Sequence, residues 1–305
     1  MTALPALAAS GAVLALALLL PWLKFVLTIA MAKGIAVLGI LLLLRAGQVS
    51  FGHAMYVAFA AYIVAFATPH APDVFVMLIA AVLGAAVAGA IVGLFVARYR
   101  DIFFGMLNLA VSMVFYSVLE KFYTITHGTD GIRVGTLRFA GQALSPQAYE
   151  WAMLGLALTL CLLWGSFARL YLASAPGQGL SAIKTRETRL EFAGVSAKTT
   201  LFAAYVLSAA MAGTGGALVA MTTRHVTPLL SYWTASGELV FIAVLGGQGS
   251  VLGPFLGAAA YELVRVYAAA TFADAWQAIL GTVLLLVILF APGGIVGALM
   301  RRRAA

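Results

Sequence analysis

The sequence contains little charge and almost no cysteine. Charged residues make up 9% of its 305 residues, whereas about 25% is usual in a soluble domain. Cys161 is the single cysteine, which excludes an internal disulfide and a cysteine-based metal cluster. Apolar residues account for 64% of the chain, and its mean hydropathy is +1.05. We therefore expect a chain that lies in a lipid bilayer, and we attribute its net charge of +8 to membrane orientation rather than to nucleic-acid binding.

Long apolar runs divide the chain. A bilayer core is crossed by about 17 to 25 apolar residues, and the candidate runs lie at 3–20, 22–44, 53–68, 74–97, 102–119, 151–170, 200–221, 237–247, 253–271 and 275–297. They predict an all-α polytopic membrane protein with about 8–10 transmembrane helices, in a single transmembrane domain over residues 1–305. Since residues 1–20 have no basic region and no persuasive cleavage site, we expect a retained first helix.

The run at 237–247 has only eleven residues and is followed by Gly249, Gly253 and Pro254. It is too short to cross a bilayer as a regular helix. We expect a half-helix or a re-entrant segment here, which requires that protein or a water-filled cavity cover its irregular backbone.

Basic residues are concentrated in alternate connections between the runs. Ten of the 18 lie at Arg98 and Arg100, between Arg169 and Lys198, and at 301–303. The opposite connections are 69–73, without Lys or Arg, and 120–150, in which three basic residues are matched by three acidic ones. Because Lys and Arg mark the cytoplasmic side, we expect segment 171–199 and both termini to be cytoplasmic and loop 120–150 to be external. This orientation requires residues 237–271 to cross twice or to make no net crossing.

A polar interruption runs from Leu170 to Thr200 between two apolar runs. Its composition predicts a helix with mixed charge and an apolar stripe that begins at Ala182 and stops at a glycine. A multispan protein that offers a partner one compact charged helix is most simply an energy-coupled permease driven by a separate motor subunit. The residues expected to couple to that motor are Ala182, Ile183, Lys184, Arg186, Glu187 and Gly194.

The same segment contains an incomplete nucleotide-binding pattern. Gly179, Lys184 and Thr185 have the spacing of a phosphate-binding loop, but Ile183 occupies the position that requires glycine. No buried strand precedes the pattern. We therefore expect that this chain does not bind ATP.

Five blocks of sequence carry a resemblance in one order. They are Gly47 to Ala54 with Ala61-Tyr62, Gly128 to Gly131, Ala182 to Lys184 with Gly194-Val195 and 208–218, Gly246 to Ser250 with Gly253-Pro254 and Gly257-Ala258, and Ala291 to Ile295. They resemble patterns of the permease subunits of branched-chain amino acid importers of the ATP-binding-cassette (ABC) class. In the same order, these patterns are G-Q-x-S-x-G-H-A, G-x-D-G, A-I-R with A-x-x-x-G-V and S-A-x-x-A-G-x-x-G-A-L, G-G-x-G-x-x-x-G-P-x-x-G-A and P-x-G-I. The order of motifs is closer to the LivM-type than to the LivH-type half of the permease pair.

The resemblance implies a function and a set of partners. It implies import of branched-chain or related small amino acids across the bacterial inner membrane by alternating access. The implied partners are cytoplasmic ATPase subunits that bind ATP and Mg, a second LivH-type permease and a periplasmic solute-binding protein. The chain itself is then a multi-pass protein with no catalytic residue, metal or cofactor. Two residues depart from the pattern. Lys184 replaces an arginine, giving a point charge in place of a bidentate fork. Glu238 replaces an apolar residue, which leaves the class of solute open.

Two regions are candidates for the substrate pathway. Gln48, Ser50 and His53 interrupt an apolar run, and Gly52 lets the backbone leave helical geometry. Unwound backbone at membrane depth binds amino and carboxylate groups. The alternative is that these side chains hydrogen-bond across helices and hold the bundle together.

The second region is in the external loop, where Thr129 and Asp130 lie between two glycines in a turn pattern. Asp130 either contacts the solute or its binding protein, or closes a turn on its own backbone. Separately, Glu262 and Arg265 are spaced to share a helix face. Intramembrane charges are functional candidates, but a structural pair or a place near the outer interface explains them equally well.

Other functional classes remain open. A passive channel or secondary transporter explains the apolar bundle but does not require a docking helix. An intramembrane enzyme would need a nucleophile and a base at one cavity. Its candidates are His53, Ser50 and Asp130, and the expected topology places Asp130 across the membrane from His53. Within the importers, permeases for urea, short amides or aromatic acids are the alternatives.

Overall fold

The computed structural model describes residues 11, 13–272, 275–291 and 293–298, without the side chain of Ile288. Residues 3–10 and 12 of the predicted first span, Pro292 and the basic tail at 301–303 lie outside this range. Nine mostly apolar helices and one polar helix are numbered here in chain order: α1 Leu23–Arg45, α2 His53–Ala67, α3 Val74–Val96, α4 Asp101–Lys121, α5 Pro146–Ala173, α6 Ala175–Phe192, α7 Ala197–Thr223, α8 Trp233–Gly246, α9 Gly253–Thr271 and α10 Trp276–Phe290.

The apolar helices run back and forth between two ends of a bundle. At one end, here called the polar end, lie 46–52, 97–100, 174–196 and 247–252, and Asp101 N–H donates to Gln48 Oε1 over 2.7 Å. At the other end, the loop end, lie 68–73, 122–145 and 224–232. There the strands β1 Ile132–Arg133 and β2 His225–Val226 pair antiparallel.

The helix bounds confirm a polytopic all-α membrane protein. Helices α1, α3, α4, α5 and α7 are long and apolar enough to cross a membrane, while α2 and α8 are shorter apolar helices. Most bounds fall within a few residues of the predicted runs. At 14 residues α8 is about 21 Å long, and the 3-10 turn Pro228–Ser231 precedes it. Helix α9 runs antiparallel to α8, so residues 237–271 start and finish at the loop end and make no net crossing.

Helices α1 and α7 form the centre of the bundle. Within the most apolar window of each, 94% of α1 and 78% of α7 is buried, against about a third of α3, α4 and α5. Close packing depends on glycine: a Cβ at Gly216 of α7 would lie 2.1 Å from the Val57 carbonyl oxygen. Gly89, in one of the small-residue patterns of α3, likewise packs directly on Ala209.

Peripheral helices expose apolar side chains along one face. On α3 these are Val76, Ile79, Leu83, Val87 and Ile91, each more than half exposed. Their three- and four-residue spacing places them in one stripe. In water such a stripe would be unfavourable, whereas in a bilayer it faces lipid.

Candidate functional site

The polar helix α6 covers the polar end of the bundle. It begins at Ala175, seven residues before the predicted start at Ala182, so that boundary was wrong. Gly177 is helical and packs tightly: a Cβ there would lie 2.1 Å from the Tyr171 carbonyl oxygen. The predicted glycine stop is confirmed, because Gly194 has a φ of +80° and its N–H donates to the Glu191 carbonyl over 2.9 Å.

One stripe of α6 is attached to the bundle. Leu180 and Ile183 are buried in the apolar core. Glu187 accepts two hydrogen bonds from the Arg100 guanidinium, at 2.9 Å from Nε and 2.8 Å from Nη2. The backbone leaves helical geometry at Arg186 (φ −157°, ψ 96°), which kinks the helix in the middle of its charged stretch.

The other side of α6 is open. Lys184 and Arg186 are exposed, Ala182 is partly exposed, and Phe192 at the C-terminal end is 92% exposed. An exposed apolar ring beside basic side chains is typical of a protein-binding surface.

The segment from Gln48 to His53 lies buried against the polar end. Gln48, Ser50 and His53 are each no more than 3% exposed. Ser50 Oγ lies 2.8 Å from His53 Nδ1, and the other ring nitrogen of His53 is hydrogen-bonded to Ser208 of α7. A Cβ at Gly52 would meet the Asn108 carbonyl oxygen at 2.4 Å. The His53–Ser208 contact joins two helices, as the alternative interpretation expects. Contact of these residues with the solute stays a prediction.

The same segment touches α6. Gly47 has a φ of +75°, and a Cβ on it would lie 3.2 Å from Lys184 Cγ. The loop therefore lies directly beneath the predicted coupling residues, at the end of the 23-residue helix α1. The loop leads into α2 at His53, and the His53–Ser208 bond connects it to α7.

Thr129 and Asp130 lie at the opposite, loop end of the bundle and are exposed. Asp130 Oδ2 accepts a hydrogen bond from the Tyr123 hydroxyl over 2.6 Å. This bond raises the pKa of the Tyr123 hydroxyl above its ordinary value. In the described part of the chain, the structure does not bring this pair together with Gln48–His53, and a role in the substrate pathway stays a prediction.

A cluster of four charged side chains lies half-way along the bundle. Lys33 of α1 forms ion pairs with Glu238 of α8 and with Glu262 of α9, the latter at 2.5 Å. Arg265 donates to Glu262 Oε2 through Nε at 2.9 Å and Nη2 at 2.7 Å. The expected Glu262–Arg265 pair is confirmed, and Lys33 Nζ also lies 5.6 Å from the centre of the Tyr261 ring.

Comparison with known proteins gives the class. The family model for the branched-chain amino acid transport system permease component matches residues 22–289. The chain belongs to this family. The permease is also similar to the high-affinity branched-chain amino acid transport system permease protein BraD of Pseudomonas aeruginosa, with 30% identity over 105 residues, or 34% of each chain. This match therefore spans about a third of that relative's length. No solved structure matches the permease.

The sequence predicted the Glu262–Arg265 pair of the charge cluster but not the contacts of Lys33. Lys33 is the residue that sequence reasoning missed, although a signal was present: it is the one charged residue in the middle of α1, whose mean hydropathy is 2.4 over its most apolar window. An isolated lysine at such depth requires an acidic partner. Its partners are Glu238, 205 positions away, and Glu262, and no local spacing connects Lys33 with either.

The cluster adjoins a cavity in the permease of about 430 Å³ between α8, α9 and α10. Thr234, Glu238, Phe241 and Leu245 line it from one face of α8, and Tyr261 lines it from α9. Glu238 is the member of the charge cluster that reaches this cavity, which otherwise has mostly apolar walls.

Proposed function

We propose that this permease is the membrane subunit of an ABC importer for branched-chain or related small amino acids in the bacterial inner membrane. Family membership supports transport of this class. The observation that carries the coupling to ATP is α6: an amphipathic helix attached to the bundle by Leu180, Ile183 and the Arg100–Glu187 pair, with Lys184 and Arg186 facing outwards.

The chain needs partners to work in this way. ATP and Mg bind in separate cytoplasmic ATPase subunits that contact α6. A second, LivH-type permease completes the pathway, and a periplasmic solute-binding protein delivers the solute to the loop end, where Thr129 and Asp130 are exposed. Catalysis is confined to the ATPase subunits.

Coupling requires that the ATPase contact α6 differently in two states. Closure of the ATPase dimer displaces α6, and the displacement reaches the bundle by two routes. One is the Arg100–Glu187 pair into the α3–α4 connection. The other is the contact between Lys184 and Gly47, which leads into α2 and α7. The first route ends at α3, which packs on α7 at Gly89, and the second ends on α7 itself.

Reconstitution into proteoliposomes tests the proposal. The permease is combined with its ATPase, second permease and binding protein, and uptake of radiolabelled L-leucine is measured with ATP and with a non-hydrolysable analogue. We expect uptake only with hydrolysable ATP and only when all subunits are present. Uptake that proceeds unchanged without ATP indicates a passive channel or secondary transporter and contradicts the proposal.

A second cargo class follows from Glu238, whose carboxylate offers the cavity a hydrogen-bond acceptor. Urea and short amides donate hydrogen bonds to such a group without carrying charge. The same proteoliposomes, supplied with radiolabelled urea, acetamide or benzoate, separate these cargoes from amino acids.

A further inference from the structure

The two carboxylates of the charge cluster have different surroundings. The Glu262 side chain is 1% exposed, pairs with Lys33 and receives both bonds from Arg265. The Glu238 side chain is 25% exposed and, among the described residues, has Lys33 as its cationic partner. Glu262 is therefore buried between two cations and connects α9 to α1, while Glu238 retains accessible surface towards the cavity.

The cavity has the composition of a ligand site. Its volume of about 430 Å³ falls within the roughly 300–1,000 Å³ typical of small-molecule pockets. Leu230, Phe241, Leu245, Leu280 and Leu284 supply apolar wall, and Glu238 supplies a single charge. Such a site suits a small molecule with one cationic group and a branched or linear apolar part.

We infer that Glu238 binds the ammonium group of the transported amino acid, with the apolar side chain of the solute in the cavity between α8, α9 and α10. The inference rests on the proposed function and names the part of the chain that selects the solute. A carboxylate at membrane depth requires a cationic partner, and Lys33 meets this requirement before the solute binds.

Charge balance explains how the exchange occurs. Before the solute binds, Lys33 and Arg265 neutralise Glu238 and Glu262. When an ammonium group pairs with Glu238, Lys33 keeps Glu262 as its partner. A zwitterion adds no net charge to the cluster. A carboxylic acid without the amino group places a third negative charge beside Glu238 and is disfavoured.

Transport kinetics test the inference in the complete reconstituted importer. The Glu238→Gln variant keeps the size and polarity of the side chain but removes its charge. We expect the KM for L-leucine to rise at least about tenfold, because loss of one partner of a buried charged pair costs more than about 1.4 kcal/mol. The matched control is Glu120→Gln, at an exposed position at the end of α4, where we expect an unchanged KM.

The outcomes separate the two proposals. If the wild-type complex takes up L-leucine with ATP and Glu238→Gln leaves its KM within twofold, the inference is wrong and the proposed function stands. If the wild-type complex shows no ATP-dependent uptake of L-leucine, the proposed function fails in its own right, and the inference fails with it.

A labelling experiment addresses the site without altering the charge cluster. Ala235 lines the cavity one turn from Glu238, and Cys161 is the only native cysteine. In an Ala235→Cys, Cys161→Ser complex, we expect L-leucine and isoamylamine, which keeps the ammonium group, to slow modification by a small methanethiosulfonate at least threefold. We expect no protection by 4-methylpentanoate, which has the leucine skeleton without the amino group. Equal protection by the amine and the acid, or protection by neither, overturns the inference.

Discussion

Arg100 and Glu187 form a two-bond ion pair that fastens α6 to the connection between α3 and α4. The two side chains are 21% and 33% exposed, so the pair is partly shielded from water. Two parallel N–H to O bonds also restrict the angle between the groups. We therefore expect the pair to transmit a displacement of α6 as well as to hold it in place.

We expect Glu187→Ala and Arg100→Ala each to reduce ATP-dependent uptake several-fold without preventing assembly. The charge-swapped variant, Arg100→Glu with Glu187→Arg, should recover part of the loss, with a coupling energy of about 0.5–3 kcal/mol in a double-mutant cycle. The measurement is the uptake rate at saturating ATP. Additive effects of the two alanine variants, with no recovery in the swap, would remove the pair from the coupling route.

His53 is expected to be a stability residue. His53→Ala leaves Ser50 and Ser208 without their buried partner, which costs about 1–3 kcal/mol for each unsatisfied group. We expect a lower melting temperature and an unchanged KM for the solute, measured in the same preparations. A raised KM at full thermal stability would instead support the predicted substrate contact of Gln48, Ser50 and His53.

Gly216 is required for contact between α7 and α2. A methyl group at this position lies 2.1 Å from the Val57 backbone oxygen, and backbone does not yield as a flexible side chain does. We expect Gly216→Ala to cost about 1–3 kcal/mol by overpacking and to lower the yield of folded permease. Gly155→Ala on α5 is the matched control, since nothing lies within 4 Å of its Cβ position, and we expect no loss of stability there.

Asp73, the N-cap residue of α3, makes the stability of the loop end depend on pH. Desolvation alone raises the pKa of the Asp73 carboxyl, but hydrogen bonds from the backbone N–H groups of Gly141, Phe75 and Val76 outweigh it and hold the pKa below the usual value of 3.8. The ionised form is therefore the stabilising one. Its contribution is present above pH 3.8 and is lost as the pH falls through the lower, folded-state pKa.

We expect Asp73→Asn to reduce stability at pH 7 by about 0.5 kcal/mol, since the amide still caps the helix but carries no charge. Chemical unfolding of wild type and variant at pH 7 and pH 3 measures the difference, which should shrink in acid. A difference that stays constant with pH would show that the Asp73 charge has no such role.

Sequence alone predicted the spans and the polar helix well, because apolar run length and a glycine stop are local properties. The Glu262–Arg265 pair followed from spacing within one helix. The Lys33–Glu238 pair did not, because it joins α1 to α8 across 205 positions and depends on how the bundle closes. The start of α6 was missed since Gly177 is helical for reasons of packing, which no local pattern reveals.

The distances between the predicted site residues also depend on tertiary structure and could not be predicted. Gln48 and His53 are both buried at the polar end, where Gln48 bonds to Asp101 and His53 to Ser50, whereas Asp130 lies at the loop end with Tyr123. Sequence order gives no distance between such groups. The packing of Gly47 on Lys184 adds a connection between the first sequence block and α6 that neither motif suggests.

The central claim is that α6 converts ATP hydrolysis into transport, and simultaneous measurement of ATP hydrolysis and L-leucine uptake tests it most directly. The Lys184→Glu, Arg186→Glu variant reverses two exposed charges on α6 and leaves Leu180, Ile183 and the Glu187 pair intact. We predict that the complete complex still assembles but that uptake per ATP hydrolysed falls at least about tenfold, equivalent to about 1.4 kcal/mol of lost coupling. An assembled variant that retains the wild-type ratio of uptake to hydrolysis would contradict the account.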